Sequence, residues 1–285
     1  MISTVILSND KPAQLHLLLE SIQKNSGNLF TITVVYDYTS EALGLGYEKV
    51  QDFFYLKNKR DVSFPIRWWQ RRHDNLSDDI IQASYDNNDL VCLLNDENIM
   101  FGRPCSYSLI KKLFSTHGLS CLSLRLGNNT VVQNPYDRNS FFADVPEEGE
   151  FIEDKFLIWD ATKIKKYTNF AIPFSTNGHI YHKNVLYNVL AKCNIETEDE
   201  FEQKVQKALH SGKFKGKVPP IMACLEYSVV IRNAIRKITD KEPNEMGLNN
   251  DTLNSRYLNG KKIDYNFFDF NGISKPYEEF IASFV

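Results

Sequence analysis

Four polar residues, Asn95-Asp96-Glu97-Asn98, close the apolar run Leu90 to Leu94. Asp96, Glu97 and Asn98 offer hard oxygen donors of the kind that Mg²⁺ or Mn²⁺ accepts. An apolar run ending this way reads as a buried strand that delivers its last residues to the rim of a sheet, and open α/β sheets bind ligands beyond the carboxyl ends of their strands. Two other runs end alike: Thr4 to Leu7 at Ser8-Asn9-Asp10-Lys11, and Phe30 to Tyr36 at Asp37-Tyr38-Thr39-Ser40-Glu41. A nucleoside diphosphate needs three things from such a rim. These are a cradle for base and ribose, a cation for the phosphates, and a metal held by oxygens to offset charge on the leaving diphosphate. The chain has no Walker-type glycine loop and no GxGxxG before a helix, so the two commonest other nucleotide sites are excluded.

The elements that must hold these residues follow from periodicity. After the first run, Pro12 suits a first helical turn, Leu15, Leu18, Leu19 and Ile22 recur at helical spacing, and Gly27-Asn28 stops the helix before Phe30. This β-α-β unit predicts a parallel sheet. Tyr47 to Phe54 and Leu109 to Phe114 read as helices, and Ser77 to Ala83 as a helix N-capped by Ser77. Phe64-Pro65-Ile66-Arg67-Trp68-Trp69, with Arg71 and Arg72, has no clean period and is read as an amphipathic helix covering the sheet. Cys121 to Leu126 and Phe156 to Trp159 read as strands, the second ending at Asp160, with Trp159 in the core. From Val185 onward the chain reads as mostly helical: Glu196 to Leu209 is amphipathic, Met222 to Ile238 is a long helix, and Asp240 to Asn259 is a solvated loop. The expected division is a nucleotide-binding core at 1–184 and a helical part at 185–285 packed on or completing it.

Bulk properties exclude several classes. The 285 residues are 42% hydrophobic and 24% charged, which is ordinary globular composition. A net charge of −3 without a basic block argues against nucleic acid as partner. Five cysteines, an odd number with no CxxC pair, point to a reducing, cytoplasmic setting. No apolar run approaches the roughly 18 residues of a spanning helix. Any contact with a membrane-borne acceptor is therefore expected to be peripheral.

These segments also resemble a known family. Ser8-Asn9-Asp10-Lys11-Pro12-Ala13-Gln14-Leu15, Val34-Val35-Tyr36, Gly46-Tyr47-Glu48-Lys49-Val50 and Leu94-Asn95-Asp96-Glu97-Asn98-Ile99 are similar to GT-A type glycosyltransferases. Trp159-Asp160, the run Pro173 to Tyr181 and Leu225-Glu226-Tyr227 continue the likeness, which spans about residues 3 to 270. The nearest group is microbial, and its strand end carries a variant Asp-x-Asp motif.

The resemblance implies a mixed, mostly parallel sheet flanked by helices and transfer of a sugar from a UDP- or GDP-sugar to an acceptor hydroxyl on a glycan or lipid-linked molecule. It places Ser8 and Lys11 near the nucleotide, Tyr36 and Tyr38 near its base, and Asn95 and Asp96 with the donor. Asp96, Glu97, Asn98 and His179 would hold Mn²⁺ or Mg²⁺. The sequence departs from the pattern at Asn98, where Asp is the stronger ligand, and at Asn177, where Asp is common. An inverting transferase needs a carboxylate base. With Asn177 in that place, the base is Asp160 or another carboxylate, the mechanism is retaining, or the protein is a weak catalyst. A sugar nucleotidyltransferase, or a degenerate transferase kept as a binding module, are the alternative readings.

Overall fold

The computed structural model describes residues 1–58, 64–71, 75–130, 146, 148–153, 155–165, 168–233, 237–238, 249–278 and 281–285. In chain order the elements are β1 (Ile2–Asn9), α1 (Pro12–Asn25), β2 (Phe30–Asp37), α2 (Glu41–Asn58), β3 (Ile66–Gln70), α3 (Leu76–Ala83), β4 (Leu90–Asn95), β5 (Asn98–Met100), α4 (Tyr107–His117), β6 (Cys121–Ser123), β7 (Glu150–Ile152) and β8 (Phe156–Asp160). They continue with β9 (His179–His182), α5 (Lys183–Cys193), α6 (Glu198–His210), β10 (Ile221–Leu225), β11 (Val230–Asn233), β12 (Lys237–Ile238), α7 (Asn250–Leu258), β13 (Tyr277–Glu278) and β14 (Ile281–Ala282).

One large sheet runs in the order β3-β2-β1-β4-β9-β6-β10-β8-β7. Strands β1 to β4 in it are parallel, β6 and β10 run with them, and β9 and β8 run against their neighbours. The sheet is thus mixed and mostly parallel, as expected. Its apolar runs are continuous because both faces are covered. Alternation sends Ile6, Cys92, Leu94 and Ile180 into one layer with Leu15 and Leu18 of α1 and Tyr47 and Phe54 of α2. Val5, Leu7, Leu93 and Tyr181 face the other layer, with Ile80 of α3, Val189 of α5 and Phe201 and Val205 of α6. A smaller sheet, β13-β11-β5, begins at Asn98, where the turn after β4 ends.

Several local expectations are corrected. The stretch read as one helix from Met222 to Ile238 is instead β10, β11 and β12. In β10, Met222 and Cys224 pack into one layer while Ala223 and Leu225 pack into the other, so a strand buried on both faces looks apolar at every position. Trp68 and Trp69 lie on strand β3, not on a helix. One ring packs edge-on to Tyr36 at 6.2 Å, and the other sends its Nε1 to Asp79 at 3.2 Å on the opposite face. The N-cap of α3 is Asn75, whose side chain accepts from the Ser77 N–H. The Ser77 hydroxyl serves the Ile195 N–H instead. Residues 250–258, expected to be loop, form α7, while 240–248, like Arg72, fall outside the described residues. No helix among the described residues is long and apolar enough to cross a membrane.

Candidate active site

The four parallel strands β1 to β4 end at one rim, and the first turn of α6 meets them there. Between them lies a cleft of about 520 Å³ lined by residues including Ser8, Asn9, Asp10, Lys11, Asp37, Thr39, Arg71, Asp96, Glu198 and Asp199. The β1 end is braced. Asp10 adopts φ +59°, a left-handed conformation rare outside glycine. Its carboxylate accepts from the Thr39 N–H at 2.7 Å and from the Thr39 hydroxyl at 2.9 Å, tying the first two strand ends together. Lys11 follows as the residue before α1, with Pro12 in the first turn. Its N–H donates to the Tyr47 hydroxyl at 3.1 Å, and that hydroxyl also bonds Ser8 Oγ at 2.7 Å.

Lys11 reaches across the rim. Its Nζ lies 2.9 Å from Glu97 Oε1 and 3.5 Å from Asp96 Oδ1. Asp96 is 3% exposed and also accepts from the Asn9 N–H at 3.0 Å. Glu97 Oε2 lies 2.7 Å from Arg232 Nε. Burial opposes the charge on Glu97, but Lys11 and Arg232 outweigh it and hold its carboxyl below the ordinary value. Burial works against the Lys11 ammonium too, and Asp96 and Glu97 reverse that, raising its pKa.

The facing wall is built differently. Glu198, in the first turn of α6, accepts from Asn95 Nδ2 and, at 3.1 Å, from the Thr176 hydroxyl. One turn on, Glu202 accepts from the Ser175 hydroxyl and, at 3.4 Å, from Asn177 Nδ2. Asn177 Oδ1 in turn accepts from the side-chain amides of Asn95 and Asn98, each at 3.1 Å. Among the described residues every hydrogen-bond partner of these two carboxylates is a neutral amide or hydroxyl. Burial, then the nearby Asp96 charge, pushes the Glu198 carboxyl up to about 7. Burial also pushes Asp96 up to about 6, with Lys11 opposing. Asp199, the next residue of α6, is exposed and lines the cleft. At the far corner Arg71 is pinned by the buried Asp79 at 3.1 Å and by the Glu196 carbonyl at 3.1 Å.

The structure brings Ser8, Lys11, Asn95, Asp96, Glu97, Asn98 and Asn177 together, and separates the rest of the expected set. Val35 and Asp37 face the cleft, so by alternation Tyr36 and Tyr38 face the other side of the sheet. There they pack on Tyr47 with ring centroids at 4.9 and 6.3 Å, and they do not line the cleft. Asp160 lies at the opposite rim, because β8 is antiparallel to β10 and pairs Asp160 with Ile221, the first residue of that strand. It caps a short helical turn there, accepting from the Thr162 N–H at 2.9 Å.

His179 is fully buried between strands, 3.4 Å from the Pro173 carbonyl. Burial first, then Arg125, lowers its pKa to about 3, so the ring is neutral. Asn98 is 1% exposed and its amide is used inside the fold. Among the described residues no group of three or more His, Cys, Asp or Glu side chains converges on a metal position. The residues missed from sequence are Glu198, Asp199 and Arg232. The run Glu196-Thr197-Glu198-Asp199-Glu200 was the available signal, but acids in a first helical turn are also what the helix dipole favours.

No family model matches the chain, and no curated protein does. Solved structures with a similar backbone include TarS of S. aureus, 13% identical over 72% of this chain and 33% of that one, with a TM-score of 0.41. A UDP-glucose pyrophosphorylase complexed with UDP-glucose is 8% identical over 79% of this chain and 91% of its own, TM-score 0.39. The mannosyltransferase PcManGT from Pyrobaculum calidifontis, in complex with GDP-Man and Mn²⁺, is 11% identical over 46% and 36%, TM-score 0.31. The chain thus spans about a third of the length of TarS.

Proposed function

We propose that the chain is a glycosyltransferase that takes a sugar from a UDP- or GDP-sugar and passes it to an acceptor hydroxyl in glycan or polysaccharide synthesis. The observation that carries this reading is the pairing of walls in one cleft: a cation, Lys11, fixed at the strand end, and opposite it two carboxylates, Glu198 and Asp199, that have no cationic partner among the described residues. Lys11 faces the donor phosphates, and Asp37, Thr39 and Arg71 offer polar groups to base and ribose. Asp199 accepts the proton of the acceptor hydroxyl, while Glu198, bonded to Asn95 and Thr176, fixes the first turn of α6 against the sheet. This replaces Asp160 in the role of base, and the Asn177 side chain is taken up by its bonds to Asn95, Asn98 and Glu202.

The metal set expected at Asp96, Glu97, Asn98 and His179 does not fit. Asn98 and His179 are turned into the fold, and the carboxylates of Asp96 and Glu97 already hold Lys11 and Arg232. No step is therefore assigned to a divalent ion. A sugar nucleotidyltransferase is less well supported, since only Asp10 and Lys11 separate β1 from α1, which leaves no room for a glycine-rich phosphate loop. We read 1–184 as the nucleotide-binding core and 185–285 as the part that completes it. In support, α6 supplies a wall of the cleft and β10 lies inside the sheet. The free thiols of the chain suit a cytoplasmic enzyme, with a lipid-linked acceptor met peripherally. The test is calorimetry with a panel of nucleoside diphosphates, followed by assay of diphosphate release from the matching sugar donor. At least one nucleotide is expected to bind, and binding by none sinks the proposal.

A further inference from the structure

Glu97 holds two cations, one on each carboxylate oxygen: the Lys11 ammonium at 2.9 Å and the Arg232 guanidinium at 2.7 Å. The backbone fixes all three residues. Arg232 stands opposite Asn98 in the β5–β11 register, its N–H donates to the Pro276 carbonyl at 3.2 Å, and the Asn233 N–H donates to the Glu97 carbonyl at 2.6 Å. Lys11 is held through its N–H by Tyr47. So across the strand pair from the third motif position, whose Asn98 amide is spent inside the fold, a guanidinium reaches the surface with its side chain 44% exposed. It engages Glu97 through Nε, so among the described residues Nη1 and Nη2 remain to meet an incoming anion. A two-oxygen anion bridging an ammonium and a guanidinium is also the way a phosphate meets such a pair.

We propose that Lys11 and Arg232 do here what a divalent ion does elsewhere: the donor's diphosphate displaces the Glu97 carboxylate from both cations, and transfer proceeds without a metal. This rests on the donor-site reading above. In the transfer the bond from the anomeric carbon to the β-phosphate oxygen breaks, and its electron pair goes to that oxygen. The acceptor oxygen bonds to the anomeric carbon, and its proton passes to Asp199. The charge gained by the diphosphate faces Lys11 and Arg232, and no co-reactant is needed. Glu97 is then a competitor of the ligand, whereas in a metal site it would be a contributor.

That difference sets opposite signs for one substitution. Calorimetry of the bound nucleoside diphosphate, in EDTA and in Mn²⁺, is the measurement. For the unaltered protein the affinity is expected to agree within about twofold between the two conditions. Glu97→Gln is expected to tighten binding by roughly threefold or more, and Arg232→Gln to weaken it about tenfold while binding of the bare nucleoside stays the same. Arg232→Lys is expected to recover part of the loss. Binding that requires Mn²⁺, weaker binding by Glu97→Gln, or an unaltered affinity in Arg232→Gln overturns the inference and leaves the transferase reading standing. Binding of no nucleotide in either condition overturns both.

Discussion

Two acidic arrays face each other across the cleft and are offset in opposite ways. On the strand side Glu97 meets Lys11 and Arg232, and its proton affinity falls. On the α6 side Glu198 and Glu202 meet the amides of Asn95 and Asn177 and the hydroxyls of Thr176 and Ser175, and Glu198 rises to about 7. Burial penalises both carboxylates. A full positive charge at hydrogen-bond distance overcomes the penalty, and a neutral donor does not. Asp96, buried between the arrays, follows the α6 side in spite of Lys11. The strand wall therefore favours the charged carboxylate, and the α6 wall the neutral one.

The sharpest way to break this contrast is Asp199→Asn, which removes the proposed proton acceptor while keeping its size. It is expected to lower kcat by about 10²- to 10⁴-fold with little change in donor affinity, read from diphosphate release. Removing the cation of the strand wall by Lys11→Met strands the buried Asp96 charge. The expected loss of stability is on the order of 3 kcal/mol in a denaturant titration, with Asp96→Asn in the same chain recovering much of it. Placing a charge among the neutral partners by Asn177→Asp sets a carboxylate against Glu202 and withdraws a donor, for a loss of about 2 kcal/mol by the same measurement.

The smallest effect concerns pH. The raised Glu198 adds stability that is whole below its ordinary value of 4.5 and is lost as pH rises toward about 7. The lowered Glu97 adds stability that is present above 4.5 and is lost as pH falls. Glu198→Gln should flatten the decline between about pH 4.5 and 7 by on the order of 1 kcal/mol. A decline as steep as before would show that the α6 wall does not take up a proton.

The two walls were not equally legible in the sequence. Strand ends announce themselves, because an apolar run that stops at Ser8, Asp37 or Asn95 marks both an element and its rim. Helix α6 was also visible, by its period. Strand direction was not: whether Trp159-Asp160 arrives at the cleft or at the far rim depends on β8 pairing antiparallel with β10, a contact between residues some sixty apart in the chain. The face of a strand end was likewise hidden, so Tyr36 and Tyr38 looked as available as Asp37. Strands buried on both faces, such as β10, carry no alternation to distinguish them from a helix. Arg232 belongs to the wall only through the β5–β11 register, which no local pattern reports.

The position of β10 also has a consequence for how the chain is made. Strands β1 to β4 lie within residues 2–95 and pair with one another, so that half of the sheet can assemble as soon as it leaves the ribosome. The other half has to wait. Cys121 to Ser123 of β6 and Phe156 to Asp160 of β8 each bond to β10, which lies between them and is the last of the nine strands to be synthesised. Until Leu225 emerges, two strand edges stand open side by side, each a template for pairing with another chain. The interval between the two halves is thus the time at which this protein is most exposed to misassembly.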